Sequence, residues 1–145
     1  MDWSITVLLS LPALIMGLLS VKGYTQNKEL KLWLALGFLC VAYIFFFVQG
    51  RPFFHLFFIG LLWGILNSSI QIIFYSTYIA NNPNAAKGYS KLSKKQNPRL
   101  VMLLIGLGTG VATGMVFGAI SWIAKKIFFW PAAGSIKYAK TQSQR

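Results

Sequence analysis

The chain has 145 residues, of which 56% are hydrophobic and 11% are charged. A soluble globular domain carries roughly 25% charged residues, so this composition excludes an ordinary soluble enzyme and favours an integral membrane protein. The formal net charge is +12, and Asp2 and Glu29 are the two acids. Because the lysines and arginines flank long apolar stretches, the charge indicates membrane topology, and no nucleic-acid partner is expected.

Four apolar segments are long enough to be considered as membrane spans, which need about 20 residues each. They use most of the chain and cover, approximately, residues 4–21, 31–48, 53–79 and 99–124. We therefore predict an all-α integral membrane protein with four transmembrane helices arranged as two hairpins, in one domain over residues 1–130. Residues 131–145 are predicted to form a basic, disordered C-terminal tail.

The first two spans are the least polar. Pro12 lies inside span one and predicts a kink, because proline has no backbone N–H to donate to the helix. Cys40 lies in the middle of span two, where a lone cysteine is predicted to be a small packing residue. We expect both spans to face lipid more than the other two do.

The third span carries polar side chains along one face. At about 100° per residue, one arc of the helix holds Gly60, Gly64, Asn67, Ser68, Gln71, Tyr75 and Tyr78. Amides and hydroxyls inside a bilayer must find hydrogen-bond partners. Two interpretations stay open: the face bonds to Thr109 and Thr113 of span four, or it lines a path for a small substrate or ion. The lining residues would then be Asn67, Gln71, Tyr75, Thr109 and Thr113.

Span three is also long. From Phe53 to Tyr78 an unbroken helix would measure about 39 Å at 1.5 Å per residue, against a hydrocarbon core of about 30 Å, so we expect it to tilt or protrude. His55, near its start, is the lone histidine and is expected to face the membrane surface. One histidine and one mid-span cysteine do not make a metal site, and no metal or other cofactor is predicted.

The segment between spans three and four is polar and basic. Asn82 and Pro83 predict the end of one helix, and Asn97 and Pro98 predict the start of the next, because proline disfavours helix in the residue before it and suits the first helical position. The basic residues of this segment are expected to set topology and to contact anionic lipid headgroups; they are Lys87, Lys91, Lys94, Lys95 and Arg99.

Span four has glycines at intervals of four residues, which places them on one helix face: Gly106, Gly110, Gly114 and Gly118. Such a stripe, a glycine zipper, lets another backbone approach closely, and helices associate in lipid through that packing. We expect it to pack against Gly60, Gly64 and Ser68 of span three, which also lie four apart. Two alternatives stay open: an interface with a second copy or a partner subunit, and a glycine-lined conduction path.

The orientation in the membrane is weakly specified. Asp2 before span one and Lys22 after it favour an outside N-terminus, but lysines and arginines divide almost evenly between the two sides. Insertion in both orientations, as an antiparallel homodimer, is the remaining alternative. A bacterial inner membrane is the expected location.

No catalytic chemistry is predicted. The spans hold no carboxylate for proton coupling, and two acids with one histidine provide neither a paired-carboxylate site nor a Ser-His-Asp arrangement. We therefore expect a small, non-enzymatic multi-pass membrane protein that acts through helix–helix association, as a homo-oligomer or as an accessory subunit of a membrane complex. The alternative is a small channel or transporter for a neutral or small ionic solute, lined by the polar face of span three.

Overall fold

A computed structural model describes residues 1–26, 28–48, 50–91 and 96–142, with side chains as far as residue 128. These ranges contain helices and no strand, in the order α1 (Trp3–Ser10), α2 (Pro12–Val21), α3 (Glu29–Phe47), α4 (Pro52–Ile73), α5 (Tyr75–Asn81), α6 (Pro83–Ser90) and α7 (Pro98–Gln142). Four segments are long and apolar enough to cross a membrane: Trp3–Val21, Glu29–Phe47, Pro52–Ile73 and Pro98–Phe128. The prediction of an all-helical chain with four span-length segments is therefore confirmed.

Proline interrupts the first span, as its position predicts. α1 ends at Ser10 and α2 begins at Pro12, because the proline nitrogen has no hydrogen to donate to the preceding turn. Between the two helices the backbone forms a tighter turn, in which the Leu11 N–H donates to the Leu8 carbonyl at 3.2 Å. At the other end, the Asp2 side chain accepts from the Ile5 N–H at 3.2 Å, which caps α1.

The third span is divided, whereas the sequence predicts one helix over residues 53–79. The backbone of Phe74 leaves the helical region (φ −101°, ψ 35°) and separates α4 from α5. The 22 residues of α4 measure about 33 Å at 1.5 Å per residue, close to a hydrocarbon core of about 30 Å. The break thus removes the excess length that an unbroken helix would carry.

The start of α7 agrees with the sequence, and its end differs. The Asn97 side chain accepts a hydrogen bond from the Arg99 N–H at 3.0 Å, which caps a helix that begins at Pro98. The helical backbone then continues through Pro131 to Gln142, where the sequence predicts a disordered tail from residue 131. A proline removes one backbone donor from a helix, and the alanine, lysine and glutamine residues that follow favour helix.

α4 is the helix around which the others pack. It contacts α1, α2, α3, α5 and α7, and its contact with α7 is the most extensive in the molecule. α1 and α2 pack chiefly on α4, while α3 lies against α7 and α4. The apolar core lies where these helices meet and includes Ala13, Cys40, Ile44, Leu56, Ile59, Trp63 and Phe117. Cys40 is buried there, as predicted for a packing residue.

Backbone meets backbone along the contact between α4 and α7, which we call the α4–α7 seam. A Cβ atom on Gly60 would lie 2.5 Å from the Gly114 Cα, and a Cβ atom on Gly110 would lie 2.7 Å from the Gly60 carbonyl oxygen. A methyl group therefore has no room at these positions. The residues of the seam are Gly60, Gly64, Ser68, Gly106, Gly110, Gly114 and Gly118.

The remaining members of the seam extend it in both directions. Gly64 lies against the backbone of Gly106, and the Ser68 hydroxyl covers Gly106 from the next turn of α4. At the opposite end, a Cβ atom on Gly118 would lie 2.9 Å from the ring of Phe53. The close approach thus extends over about three turns of each helix, between two helices of one chain.

Replacing Gly110 with leucine is expected to separate α4 from α7. The obstacle is the Gly60 carbonyl oxygen, and a backbone atom does not move aside as a flexible side chain does. Overpacking of this kind costs about 1–3 kcal/mol, which lowers a melting temperature by several degrees. Thermal unfolding and size-exclusion chromatography of Gly110→Leu in mild detergent measure the effect.

Gly108→Leu is the matched control, because a Cβ atom on Gly108 meets nothing within 4 Å. Both variants add the same side chain to the same helix, two residues apart. We expect Gly108→Leu to unfold and elute like the wild type. Equal behaviour of the two variants would mean that the α4–α7 seam does not hold the two helices together.

Candidate functional site

A cavity of about 530 Å³ lies beside the α4–α7 seam, with walls from α3, α4 and α7 and contributions from α5 and α6. Sites for small molecules commonly have volumes of about 300–1,000 Å³. Its apolar wall includes Leu30, Trp33, Trp63, Met102 and Ile105. Its polar wall includes Glu29, Asn67, Ser68, Gln71, Tyr78, Tyr89, Thr109 and Thr113.

The cavity brings together four of the five residues that the sequence proposes as a polar lining, namely Asn67, Gln71, Thr109 and Thr113. Tyr75 is not among the residues that line it. Tyr75 is the first residue of α5, beyond the break at Phe74, and the guanidinium of Arg99 lies 5.5 Å from the centroid of its ring. Tyr75 therefore contacts the start of α7 instead of the cavity.

The hydrogen bonds of the polar face differ from those expected with α7. The Thr109 hydroxyl donates within its own helix, to the carbonyls of Ile105 (2.9 Å) and Gly106 (3.0 Å). Gln71 donates to the Ser20 hydroxyl of α2, at 3.1 Å. Among the described residues no hydrogen bond from α4 reaches these threonines, whose side chains border the cavity beside the seam.

One polar atom of the lining residues, the side-chain oxygen of Asn67, has no partner in the described part of the chain. This oxygen is buried, although the residue borders the cavity. A buried acceptor that is left unpaired costs about 1–3 kcal/mol. The Asn67 side chain therefore carries an unmet hydrogen bond at the edge of the cavity.

A carboxylate and two indoles form one wall of the cavity. Glu29 is the first residue of α3, and Trp33 lies one turn further along the same helix, where both side chains line the cavity. The rings of Trp33 and Trp63 lie 5.1 Å apart at an angle of 46°. Trp63 is fixed in turn by a bond from its indole N–H to the Leu9 carbonyl, at 3.0 Å. The sequence does not reveal this wall, because it depends on how α3 packs against α4.

Two tyrosines complete the wall near Glu29. Burial, with smaller contributions from the negative charge of Glu29 and from Tyr89, raises the pKa of Tyr78 to about 12. Burial also raises the pKa of Tyr89. Tyr78 is consequently a neutral hydroxyl over the physiological range and can donate a hydrogen bond into the cavity.

His55 is buried, whereas the sequence predicts that it faces the membrane surface. Only 1% of its surface is exposed. Its Nδ1 lies 3.1 Å from the hydroxyl of Thr6, which itself donates to the Asp2 carbonyl. The histidine thus ties the start of α4 to α1, because the first helical turns of the two segments lie side by side.

A second polar cluster ties the opposite ends of these segments together. The Asn82 amide donates to the Ser20 carbonyl at 2.9 Å, and the Asn81 amide donates to the Val21 carbonyl at 3.0 Å. Together with Gln71, these residues anchor α5 to the end of α2. They hold the helix that carries Tyr78, a residue of the cavity wall.

Three of the five residues predicted to contact lipid headgroups fall in the described ranges, at the same end of the molecule as this cluster. Lys87 is in the last turn of α6 and Lys91 follows it, and both are exposed, as is Arg99. Lys94 and Lys95 lie outside the described residues. Within the described ranges, no three residues among histidine, cysteine, aspartate and glutamate form a group able to hold a metal ion.

Comparison with known proteins finds no relative of this chain. No family model matches the chain, and no curated protein or solved structure is similar to it. The residues of the cavity and the helices that hold them are therefore the basis for a function.

The raised pKa of Tyr78 predicts a specific loss of stability at alkaline pH. In the unfolded chain the phenol ionises near pH 10, but in the folded chain it ionises near pH 12. Below pH 10 the phenol is protonated in both states, so its ionisation does not change the free energy of unfolding. As the pH rises from 10 to about 12, ionisation favours the unfolded chain and the free energy of unfolding falls. We expect Tyr78→Phe to lose less stability than the wild type over that interval.

Thermal unfolding in detergent between pH 9 and pH 12 measures this difference, and tyrosinate absorbance follows the ionisation. Tyr24→Phe, which changes an exposed tyrosine outside the cavity wall, is the control and should follow the wild-type curve. A Tyr78→Phe curve that coincides with the wild type would contradict the burial of this hydroxyl.

Proposed function

We propose that this chain is a four-span membrane protein that binds a small solute in the cavity between α3, α4 and α7 and carries it across the bilayer. The observation that supports this most strongly is the lining of the cavity. It places the Asn67 side chain, whose oxygen has no partner among the described residues, beside the hydroxyl and amide side chains of α4 and α7. Polar groups of this kind inside a bilayer are found where they meet a substrate or each other.

The alternative function, association with a second copy or a subunit through the glycine stripe, has less support. The glycines at the seam are occupied by contacts within the chain, from Gly60 against Gly114 to Gly118 against Phe53. A face that is already covered has no room for another helix. Gly108 is open, but a single glycine does not make an interface.

The shape of the cavity favours a carrier over an open pore. Its lining extends along α4 from Gln71 back to Gly60. Beyond that level, Ile59, Leu56 and Phe117 are buried in the apolar core, which closes the remaining length of the bundle. Solute that enters from the end with Tyr78 would therefore leave at the other side only after the helices rearrange.

In the proposed arrangement the four segments cross the membrane as two antiparallel hairpins, spans one and two followed by spans three and four, and the short connection between α3 and α4 joins one hairpin to the other. The basic residues around α6 lie at one surface, where they attract anionic lipids at about 1 kcal/mol per charge. A bacterial inner membrane, where anionic lipids are abundant at the surface, suits such a chain.

The Asn67→Leu substitution is expected to reduce solute transport without destabilising the fold. Because the amide oxygen has no partner in the described chain, its removal breaks no bond of that atom, so we expect an unchanged or raised melting temperature. Solute flux should fall about fivefold, the effect of losing one hydrogen bond of about 1 kcal/mol. Flux is measured in proteoliposomes loaded separately with radiolabelled glycerol, urea, alanine, ethylammonium and phosphate.

Ser69→Leu is the control, since Ser69 lies two residues further along α4 and outside the cavity wall. It should leave flux at the wild-type level. Folded wild-type protein that transports none of the five solutes would contradict the proposal. So would equal flux through the Asn67→Leu and Ser69→Leu variants.

A further inference from the structure

The charge of the cavity wall is opposite to that of the chain. Lysine and arginine outnumber acids by 14 to 2 in the chain. Among the described residues that line the cavity there is no lysine, arginine or histidine, but there is one of the two acids, Glu29. The neighbouring Lys28 and Lys31 are exposed and do not line it. An anionic solute would therefore find no cation to pair with there, whereas a cation would find a carboxylate.

Aromatic side chains line the same cavity as this carboxylate. Trp33 lies one turn from Glu29 on α3, its ring lies 5.1 Å from that of Trp63, and Tyr78 and Tyr89 complete the lining. The faces of indole and phenol rings attract cations, most strongly where water is excluded. The hydrogen bond from Trp63 to α1 holds its ring in place before any ligand arrives, which reduces the entropy lost on binding.

We propose that the cavity binds an organic ammonium ion, with the charged group at Glu29 and the apolar part of the molecule against Trp33 and Trp63. This assignment rests on the proposed function and adds the chemical class of the solute. The carboxylate supplies the opposite charge, the indoles supply the surface for the apolar part, and the polar groups further along α4 remain in reach of a hydroxyl or amide on a larger ligand.

The test compares three probes that share a benzene ring and differ in charge: benzyltrimethylammonium, its neutral carbon isostere neopentylbenzene, and benzenesulfonate. Binding to the purified full-length chain is measured by isothermal titration calorimetry in detergent, with protein-free micelles as the blank. We expect the ammonium ion to bind at least about tenfold more tightly than the neutral isostere. Loss of one partner from a desolvated charge pair weakens binding by about this factor or more. We expect no binding of the sulfonate.

Two variants locate the charge that is responsible. Glu29→Gln should remove the tenfold preference and leave the affinity for neopentylbenzene unchanged. Asp2→Asn changes the net charge by the same amount at the opposite end of the molecule, and asparagine still caps a helix, so it should bind all three probes like the wild type. Because the three-probe comparison uses the wild-type chain, it stands even where Glu29→Gln does not fold.

The outcomes separate this proposal from the proposed function. If neopentylbenzene binds as tightly as the ammonium ion, or if Glu29→Gln retains the preference, the cavity binds solutes but does not select cations, and only this inference is overturned. If none of the probes binds to folded protein, the inference is overturned as well, and the proteoliposome measurement then decides whether the cavity binds any solute.

Discussion

The direct contact of two backbones at the α4–α7 seam is the constraint on which the rest of the structure depends. Lipid gives helices no hydrophobic reason to associate, so their association relies on close packing and on polar bonds. Gly60 and Gly114 approach so closely that a single methyl group would not fit. This contact joins the third and fourth segments, and α1, α2 and α3 pack against the two helices that it joins.

The cavity is a consequence of the same contact. Helices that touch at glycines leave a gap wherever α3 does not fill the groove beside them, and in this protein the gap is lined by Asn67, Thr109 and Thr113. α3 closes it with Trp33 and Glu29 instead of with a tight interface. In the proposed function this gap holds the solute beside a close-packed seam.

Local patterns in the sequence predicted the parts of this structure that depend on one helix or on short spacings. The four apolar segments, the interruption at Pro12 and the start at Pro98 follow from backbone chemistry. The break at Phe74 has no proline or glycine to signal it. The burial of His55, the bond from Gln71 to Ser20 and the position of Glu29 depend on contacts between residues about 50 apart or on the packing of α3, and no periodicity within one span encodes them.

The most direct test of a solute cavity beside the seam is whether water reaches Asn67. In a Cys40→Ala background, Asn67→Cys is treated in proteoliposomes with a charged methanethiosulfonate, which reacts with a hydrated thiolate. A hydrated cavity predicts modification there, and none at Ile59→Cys in the core or at Phe38→Cys on the exposed apolar face of α3. An Asn67→Cys thiol that reacts only after denaturation would mean that the polar face is closed packing, and would contradict a solute cavity beside the seam.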